Sequence, residues 1–235
     1  MNKKIMFSYD SIHQDNNYPG ITPAKKTIPE WYKKIPSYLK PREGINHFGR
    51  DISTVKKCIP FFEGLTIGYM MTLPFDIYVE STKDNVVISW QVKTDGSFEL
   101  EESERIPGLF IGEQYCKTPV RLNLFPSITT QKGYSLLITN PINRTDLPFY
   151  TFGAVIDADH SGMSISPTIL VKKDFVGVIE KGTPIAQIIP FKRDNWVVKK
   201  EKIMTQEEVD KNAFNLTSTI KNSYVKNFWH KKSFN

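Results

Sequence analysis

The apolar residues of this chain come in short runs of strand length, separated by turn signals. Ile169–Val171 and Ile185–Ile189 are typical runs, and Asp95-Gly96 ends another with the turn chemistry of a β-hairpin. None approaches the roughly 20 apolar residues that a helix needs to cross a bilayer. Strands at this spacing predict a mainly β protein with a sandwich, barrel or β-clip fold and no membrane partner.

The first 60 residues follow a different pattern, because closely spaced prolines exclude long helices and central strands. One short helix fits at Pro29-Glu30, where proline and glutamate suit a first turn. We therefore predict an N-terminal arm over 1–60, held against the domain or a neighbouring subunit by its aromatic side chains. The arm's prolines are Pro19, Pro23, Pro29, Pro36, Pro41 and Pro60. Its aromatic anchors are Trp31, Tyr32 and Tyr38.

The pattern predicts a β-rich core domain over 61–196 and a basic C-terminal helix and tail over 197–235. Within the core, Gly64–Met71 is expected to form the first strand. The helix prediction rests on Thr205-Gln206-Glu207-Glu208, a capping-box pattern that opens a polar stretch running to about Tyr224.

The net charge is +6, and much of the excess lies after the last apolar strand and in the tail. We interpret this region as a solvated basic tail; docking to an acidic partner or a nucleic acid is the alternative, and a nucleic acid is not favoured. The two cysteines, Cys58 and Cys116, lack zinc-site spacing and are expected to be reduced thiols in a cytoplasmic compartment. The N-terminus lacks the apolar stretch of a signal peptide.

Two ordered motifs stand in the C-terminal half. Gly153–Gly162 contains the sequence Gly-Ala-Val-Ile-Asp-Ala-Asp-His-Ser-Gly, and Lys181–Ile189 contains Lys-Gly-Thr-Pro-Ile-Ala-Gln. They resemble the Gly-x-Ile-Asp-x-Asp-Tyr-x-Gly and Lys-Gly-Asp-x-Ile-Ala-Gln motifs of trimeric dUTPases, with His160 in place of the tyrosine. The resemblance implies a dUTPase-like β-clip in this half of the chain.

The same resemblance implies roles for individual residues. Asp157 would orient the attacking water, and His160 would be the platform beneath the sugar. Asp76 would correspond to the aspartate associated with Mg²⁺. The remaining ligand-binding candidates are Asp159, Asn143, Arg144 and Gln187. The alternative for the two aspartates is structural, because Asp157 and Asp159 suit the capping of a turn at a strand end.

A wider stretch, from about 58 to 196, is similar to an uncharacterised domain family of phages and bacteria. The residues that carry this similarity include Gly68–Asp76, Thr130–Leu136, Asn140–Asn143 and Gly153–Asp159. This resemblance implies a fold and a phage-like setting without implying an activity.

Two functions remain open at this point. The first is a non-catalytic β-clip-like structural or accessory protein of a phage, without a cofactor, in the host cytoplasm or the virion. It would act through self-association and viral structural partners, as a homo-oligomer with the trimeric arrangement common among β-clip relatives. The alternative is a divergent dUTPase-like nucleotide hydrolase that uses Mg²⁺. The first is favoured because the chain lacks an Arg-Ser-Gly-type phosphate motif and a Gly-rich closing arm.

Overall fold

The computed structural model describes residues 3–8, 20–40, 52–91, 98–101, 112–160, 163–199, 203–217 and 223–235. The chain forms two compact units, Met1–Arg193 and Asp194–Asn235. Within these described ranges, the helices are all too short or too polar to cross a membrane.

Among the residues that the structure describes, the first unit contains every strand and two α-helices. The strands are β1 Ile5–Ser8, β2 Ile21–Pro23, β3 Tyr38–Leu39, β4 Ile52–Ser53, β5 Tyr69–Thr72, β6 Ile77–Ser81, β7 Val86–Ser89, β8 Phe98–Leu100, β9 Val120–Leu122, β10 Ser127–Thr130, β11 Tyr134–Thr139, β12 Phe149–Thr151, β13 Ala154–Ile156, β14 Met163–Ser164, β15 Thr168–Val171, β16 Val176–Ile179 and β17 Pro184–Lys192. The helices are α1 Glu30–Lys34 and α2 Ile59–Thr66, with 3-10 turns at Ala24–Lys26 and Val55–Lys57. The second unit contains α3 Gln206–Thr217 and α4 Ser223–Asn227.

The strands of the described residues form five antiparallel sheets. Their strand orders are β13-β11-β17-β5-β2, β12-β15-β9-β8, β1-β10-β14, β16-β6-β7 and β3-β4. The prediction of a mainly β protein is confirmed. The antiparallel arrangement lets each sheet bury one face and leave the other exposed, as the alternation along β6 shows: Ile77 and Val79 are buried, whereas Tyr78 and Glu80 are exposed.

β17 is the central strand of the largest sheet. It is nine residues long and pairs with β11 on one side, from Tyr134 opposite Lys192 to Thr139 opposite Gln187. On its other side it pairs with β5, with an irregularity between Pro184 and Ala186. The first five residues of β17 are buried, and all of them except Gln187 are apolar, as expected for a strand covered on both faces.

The core is one continuous cluster of aliphatic side chains drawn from several sheets. Its fully buried members include Met71, Leu122, Ile128, Leu136 and Ile188. Close packing of this kind holds the strand ends, and the turns that follow them, in fixed positions.

The N-terminal arm contributes strands to the sheets. β1 pairs with β10, and β2 pairs with β5 at the edge of the largest sheet. Tyr32 of α1 is only 3% exposed and stacks on Phe61 and Phe62 of α2. These contacts lie within one chain, so at this position the arm is anchored to its own unit, whereas Tyr38 is 48% exposed.

Local signals in the sequence located both predicted helices. α1 begins at Glu30, directly after Pro29, as predicted. At the start of α3, the Glu208 N–H donates to Thr205 Oγ1 over 3.3 Å, and the Thr205 N–H donates to Glu208 Oε2 over 3.0 Å. This reciprocal pair is the capping box. The hairpin turn expected at Asp95-Gly96 lies outside the described residues.

One predicted strand is wrong over its first half. Gly64–Thr66, expected to open a strand, belongs instead to α2, and the strand β5 begins only at Tyr69. Pro60 lies in the first turn of α2, where a proline needs no hydrogen-bond partner and favours the helix. Gly64 is required there by a close approach, because a Cβ at this position would lie 2.9 Å from a side-chain carbon of Ile142.

Candidate functional site

The two aspartates of the first motif lie at the end of β13, beside β11. The pairing of Leu136 with Ile156 brings Asp157 next to Ser135. The Ser135 hydroxyl donates a hydrogen bond to Asp157 Oδ1 over 2.5 Å. The sheet register therefore determines which side chain meets Asp157.

A single arginine connects both aspartates. Arg193 directly follows β17, and its Nη1 donates to Asp159 Oδ1 over 3.0 Å while Nη2 donates to Asp159 Oδ2. Nη1 also lies 3.2 Å from Asp157 Oδ1. The Gly133 N–H donates to Asp159 Oδ2 over 2.8 Å. We call this set of Ser135, Asp157, Asp159, Arg193 and Gly133 the arginine clamp.

Gly133 takes part because of its backbone conformation. Its φ of 85° lies in the left-handed region, which glycine adopts without steric cost. This turn ahead of β11 directs the Gly133 N–H at Asp159, so a glycine is needed for the geometry of the clamp.

The two carboxylates of the clamp differ in exposure. The Asp159 side chain is completely buried, whereas the Asp157 side chain is 61% exposed. The hydrogen bonds from Arg193 and the Gly133 N–H hold the pKa of Asp159 far below its usual value. The Ser135 hydrogen bond, reinforced by Arg193, also lowers the pKa of Asp157. In turn, Asp159 raises the pKa of Arg193.

The lowered pKa values of Asp157 and Asp159 bear on the prediction that Asp157 orients an attacking water. A general base works best when its pKa lies near the working pH, which for a carboxylate requires an upward shift. Both aspartates shift in the opposite direction. The clamp therefore favours permanently charged, hydrogen-bonded carboxylates over a carboxylate that accepts a proton in each catalytic cycle.

His160, predicted to be a platform beneath a sugar, lies at the surface. Its side chain is 81% exposed, and its Nε2 lies 3.8 Å from Asp159 Oδ1. This places the imidazole at the outer rim of the clamp. Residues 161 and 162, which follow it in the motif, lie outside the described residues.

Gln187 is a buried bridge between three chain segments. Its Nε2 donates to the carbonyls of Gly64 (3.0 Å) and Ile67 (2.7 Å), and its Oε1 accepts from the Ile142 N–H over 2.8 Å. Both amide protons are thus used within the protein, and the side chain is 0% exposed. Gln187 therefore has a structural role, because its hydrogen bonds connect α2 and the loop after β11 to β17.

Asn143 and Arg144 lie in that same loop. Asn143 has a φ of 61°, and its Nδ2 donates to the Phe61 carbonyl over 3.2 Å. Arg144 makes two hydrogen bonds of 2.8 Å to Asp146. Burial acts to raise the pKa of Asp146, but Arg144 outweighs it and the net pKa is lowered.

Asp76, the predicted metal-associated residue, is hydrogen-bonded to the backbone. Its Oδ1 accepts from the Lys181 N–H over 2.6 Å. No group of three histidine, cysteine or carboxylate side chains in the described part of the chain has the geometry to hold a metal ion. In this structure the Asp76 carboxylate holds the turn at Lys181.

An open groove of about 610 Å³ lies beside β16. One wall is formed by Lys26–Glu30, another by Arg144–Pro148, and the third by Phe175 and Val178–Pro184. The groove brings together Arg144 of the loop and Lys181 of the second motif, two residues that the clamp does not use. Among the described residues, neither Lys26 nor Lys181 has an ion-pair partner for its side chain.

Three members of the clamp, Gly133, Ser135 and Arg193, were not predicted as site residues. Gly133 and Ser135 lie in the stretch Thr130–Leu136 that carries the wider similarity, and Arg193 belongs to the basic region after the last apolar strand. The signal available in the sequence was the position of Arg193 at the very end of the long apolar run of β17. The strand register, which residue types alone do not specify, is what brings Arg193 to Asp157 and Asp159.

No protein-family model matches this chain, and a comparison with curated proteins finds no match.

Proposed function

We propose that the protein is a non-catalytic structural or accessory protein that acts through self-association and partner binding. Its setting is that of the phage-type family it resembles, in the host cytoplasm or the virion, and the assembly is a homo-oligomer. The proposal has two supports: apolar side chains on the outer surface of the first unit, and the internal use of the carboxylates that a nucleotide hydrolase would need.

The exposed apolar side chains are the observation that carries the proposal. Val87, Val155, Val176 and Val178 are between 56% and 64% exposed, and all four lie on edge strands of their sheets. Single exposed valines are ordinary, but Val87, Val176 and Val178 belong to one three-stranded sheet. Edge strands with apolar surface are the places where a second chain adds most readily.

The arginine clamp supports the non-catalytic part of the proposal. Asp157 and Asp159 have partners inside the protein, and both keep a depressed pKa. This is the behaviour of carboxylates that fix a turn at a strand end. A clamp that joins β11, β13 and the end of β17 stabilises the sheet without a substrate.

Light scattering coupled to size-exclusion chromatography tests self-association directly. The expected result is a mass that is a multiple of 27.1 kDa, falling as the protein is diluted. A mass of one chain at all concentrations would contradict the proposal. Deleting residues 1–45 would be a poor variant for this test, because it removes β1 and β2 from their sheets.

The alternative function, nucleotide hydrolysis, is favoured by one observation: the carboxylate of Asp157 is still 61% exposed within a dUTPase-like motif. Incubation with dUTP, dCTP and Mg²⁺ should give no turnover. If turnover occurs, Asp157→Asn should lower it about 100-fold or more, since a positioned base contributes that much. Turnover that is lost in this variant would replace the proposal with the enzymatic function.

A further inference from the structure

The segment Asn195–Lys199 of the second unit exposes its apolar side chains almost completely. Trp196 is 90% exposed, Val197 88% and Val198 99%. The segment has neither helical nor strand hydrogen bonding. Tryptophan and valine are residue types that favour strands, so this sequence is suited to pairing with another strand. Three consecutive exposed residues of this size call for a partner surface.

β16 offers an edge for such pairing. It is the outer strand of the β16-β6-β7 sheet and pairs with β6 alone. The Ser81 N–H donates to the Phe175 carbonyl over 2.9 Å, so these two residues form a hydrogen-bonded pair. In an antiparallel ladder such pairs alternate, which makes Gly177 the next residue bonded to β6. The backbone groups of Val176 and Val178 therefore point away from β6.

The surroundings of this edge suit an apolar strand. Val176 and Val178 are 64% and 56% exposed. Phe175 and Val178 also line the 610 Å³ groove that lies beside the strand. A strand added here would meet an unpaired ladder edge and the side chains of Val176 and Val178, next to a groove that also carries charged residues such as Arg144 and Lys181. Strand addition to a sheet edge gains affinity from main-chain hydrogen bonds and specificity from alternate side chains.

We propose that Asn195–Lys199 of one copy adds as an antiparallel strand to β16 of a second copy. The inference rests on the self-association proposed above and names its surfaces. In the register that we assign, Val197 lies opposite Val176 and Asn195 lies opposite Val178. These are the pairs whose backbone groups would exchange hydrogen bonds.

The same register pairs the side chains of the other face. Trp196 lies opposite Gly177, beside the ring of Phe175, which would lie 3.5 Å from a Cβ at that position. Val198 lies opposite Phe175, which gives an apolar cross-strand pair. The pairing ends there, because Asp174 has a φ of 59° and belongs to the turn before β16.

A proline at position 178 tests the backbone part of this proposal. The Val178 N–H is not needed by β6, so Val178→Pro removes a donor from the outer edge and leaves the β6 ladder intact. The oligomer should dissociate to single chains in light scattering at concentrations where the wild type is associated. Val178→Thr keeps the N–H and should leave the mass unchanged. A thermal unfolding curve shows whether each variant remains folded.

Cross-linking between copies gives a test that does not depend on the proline variant folding. In a Cys58→Ser background, a tagged chain carrying Val176→Cys is mixed with an untagged chain carrying Val197→Cys and treated with a short bismaleimide. A mixed dimer is expected. Because each chain has only one accessible thiol, this product cannot arise within one copy. Val155→Cys is the matched control, since Val155 is 63% exposed on another sheet edge.

The outcomes separate the two proposals. A wild-type protein that is monomeric at every concentration would overturn self-association and strand addition together. An oligomeric protein that tolerates Val178→Pro while folded, or that cross-links through Val155→Cys as efficiently as through Val176→Cys, would overturn strand addition at β16 and leave self-association standing.

Discussion

The two compact units of this chain differ in how far their apolar side chains are exposed. In Met1–Arg193, aliphatic residues from several sheets meet in one cluster, and Ile188 is 0% exposed. In Asp194–Asn235, Ile203 is 95% exposed and Phe214 of α3 is 70% exposed. The contrast indicates that the first unit owes its stability to its own core. The second unit leaves large apolar side chains exposed to solvent.

The largest expected effect is the difference in unfolding free energy between alanine substitutions at two isoleucines. Ile188→Ala removes a fully buried side chain from the central strand and should lower the free energy of unfolding by about 2–5 kcal/mol. Ile203→Ala, the matched change in the second unit, should alter it by no more than about 0.5 kcal/mol, because the side chain is already in water. Denaturant unfolding followed by circular dichroism measures both. Equal effects would remove the contrast between the units.

A second pair of variants compares polar side chains. Gln187→Ala leaves two carbonyls and the Ile142 N–H without their buried partner, and should cost about 1–3 kcal/mol of unfolding free energy. Gln206 of α3 donates to Asp210 over 2.9 Å at the surface. Gln206→Ala should therefore change the unfolding free energy by less than about 0.5 kcal/mol. Should Gln187→Ala prove equally mild, the bridge between α2 and β17 is not a stabilising contact.

The smallest expected effect is on the stability of the folded protein at low pH. The pKa of Asp159 is lower in the folded protein than the ordinary value near 3.9, so the unfolded chain takes up the proton first. The stabilisation from the clamp is therefore complete above about pH 5 and declines as the pH falls below about 4 towards the folded pKa. Arg193→Gln should weaken this dependence, and its deficit relative to wild type should shrink in acid.

Lys211→Gln, which removes an exposed charge outside the clamp, should leave the acid dependence of unfolding unchanged. Thermal unfolding midpoints between pH 2 and pH 7 provide the measurement. A wild-type curve that runs parallel to that of Arg193→Gln throughout this range would show that Asp159 contributes nothing to acid stability.

Sequence reasoning worked where the signal is local. The capping box of Thr205 and Glu208 and the first turn at Pro29 depend only on near neighbours, and both helices were predicted where they begin. It failed at Gly64–Thr66, because a glycine beside apolar residues was interpreted as a strand start. The reason for that glycine is the contact with Ile142, a residue far along the chain from Gly64.

The candidate site was predicted only in part, because it too depends on contacts between residues that are distant in the sequence. The motif identified Asp157 and Asp159 as a pair at a strand end, but the partner that determines their chemistry is Arg193, 34 residues beyond Asp159. Gln187 was predicted to bind a ligand, whereas its bonds to Gly64, Ile67 and Ile142 define a structural bridge. Only the register of β11, β13 and β17 brings these residues together, and residue types alone do not specify a register.

The central position of β17 also sets the order in which the protein can be completed during synthesis. Tyr69 of β5 pairs with Ile188, so β5 emerges from the ribosome long before its neighbour in the sheet exists. At ordinary translation rates the interval is on the order of ten seconds. Throughout that time β2 and β13 can pair with β5 and β11, but the edges of β5 and β11 that face β17 have no partner strand and are open to chaperones or to a neighbouring nascent chain. β17, the last strand of the first unit, thus completes the largest sheet by filling the gap between two strands made earlier.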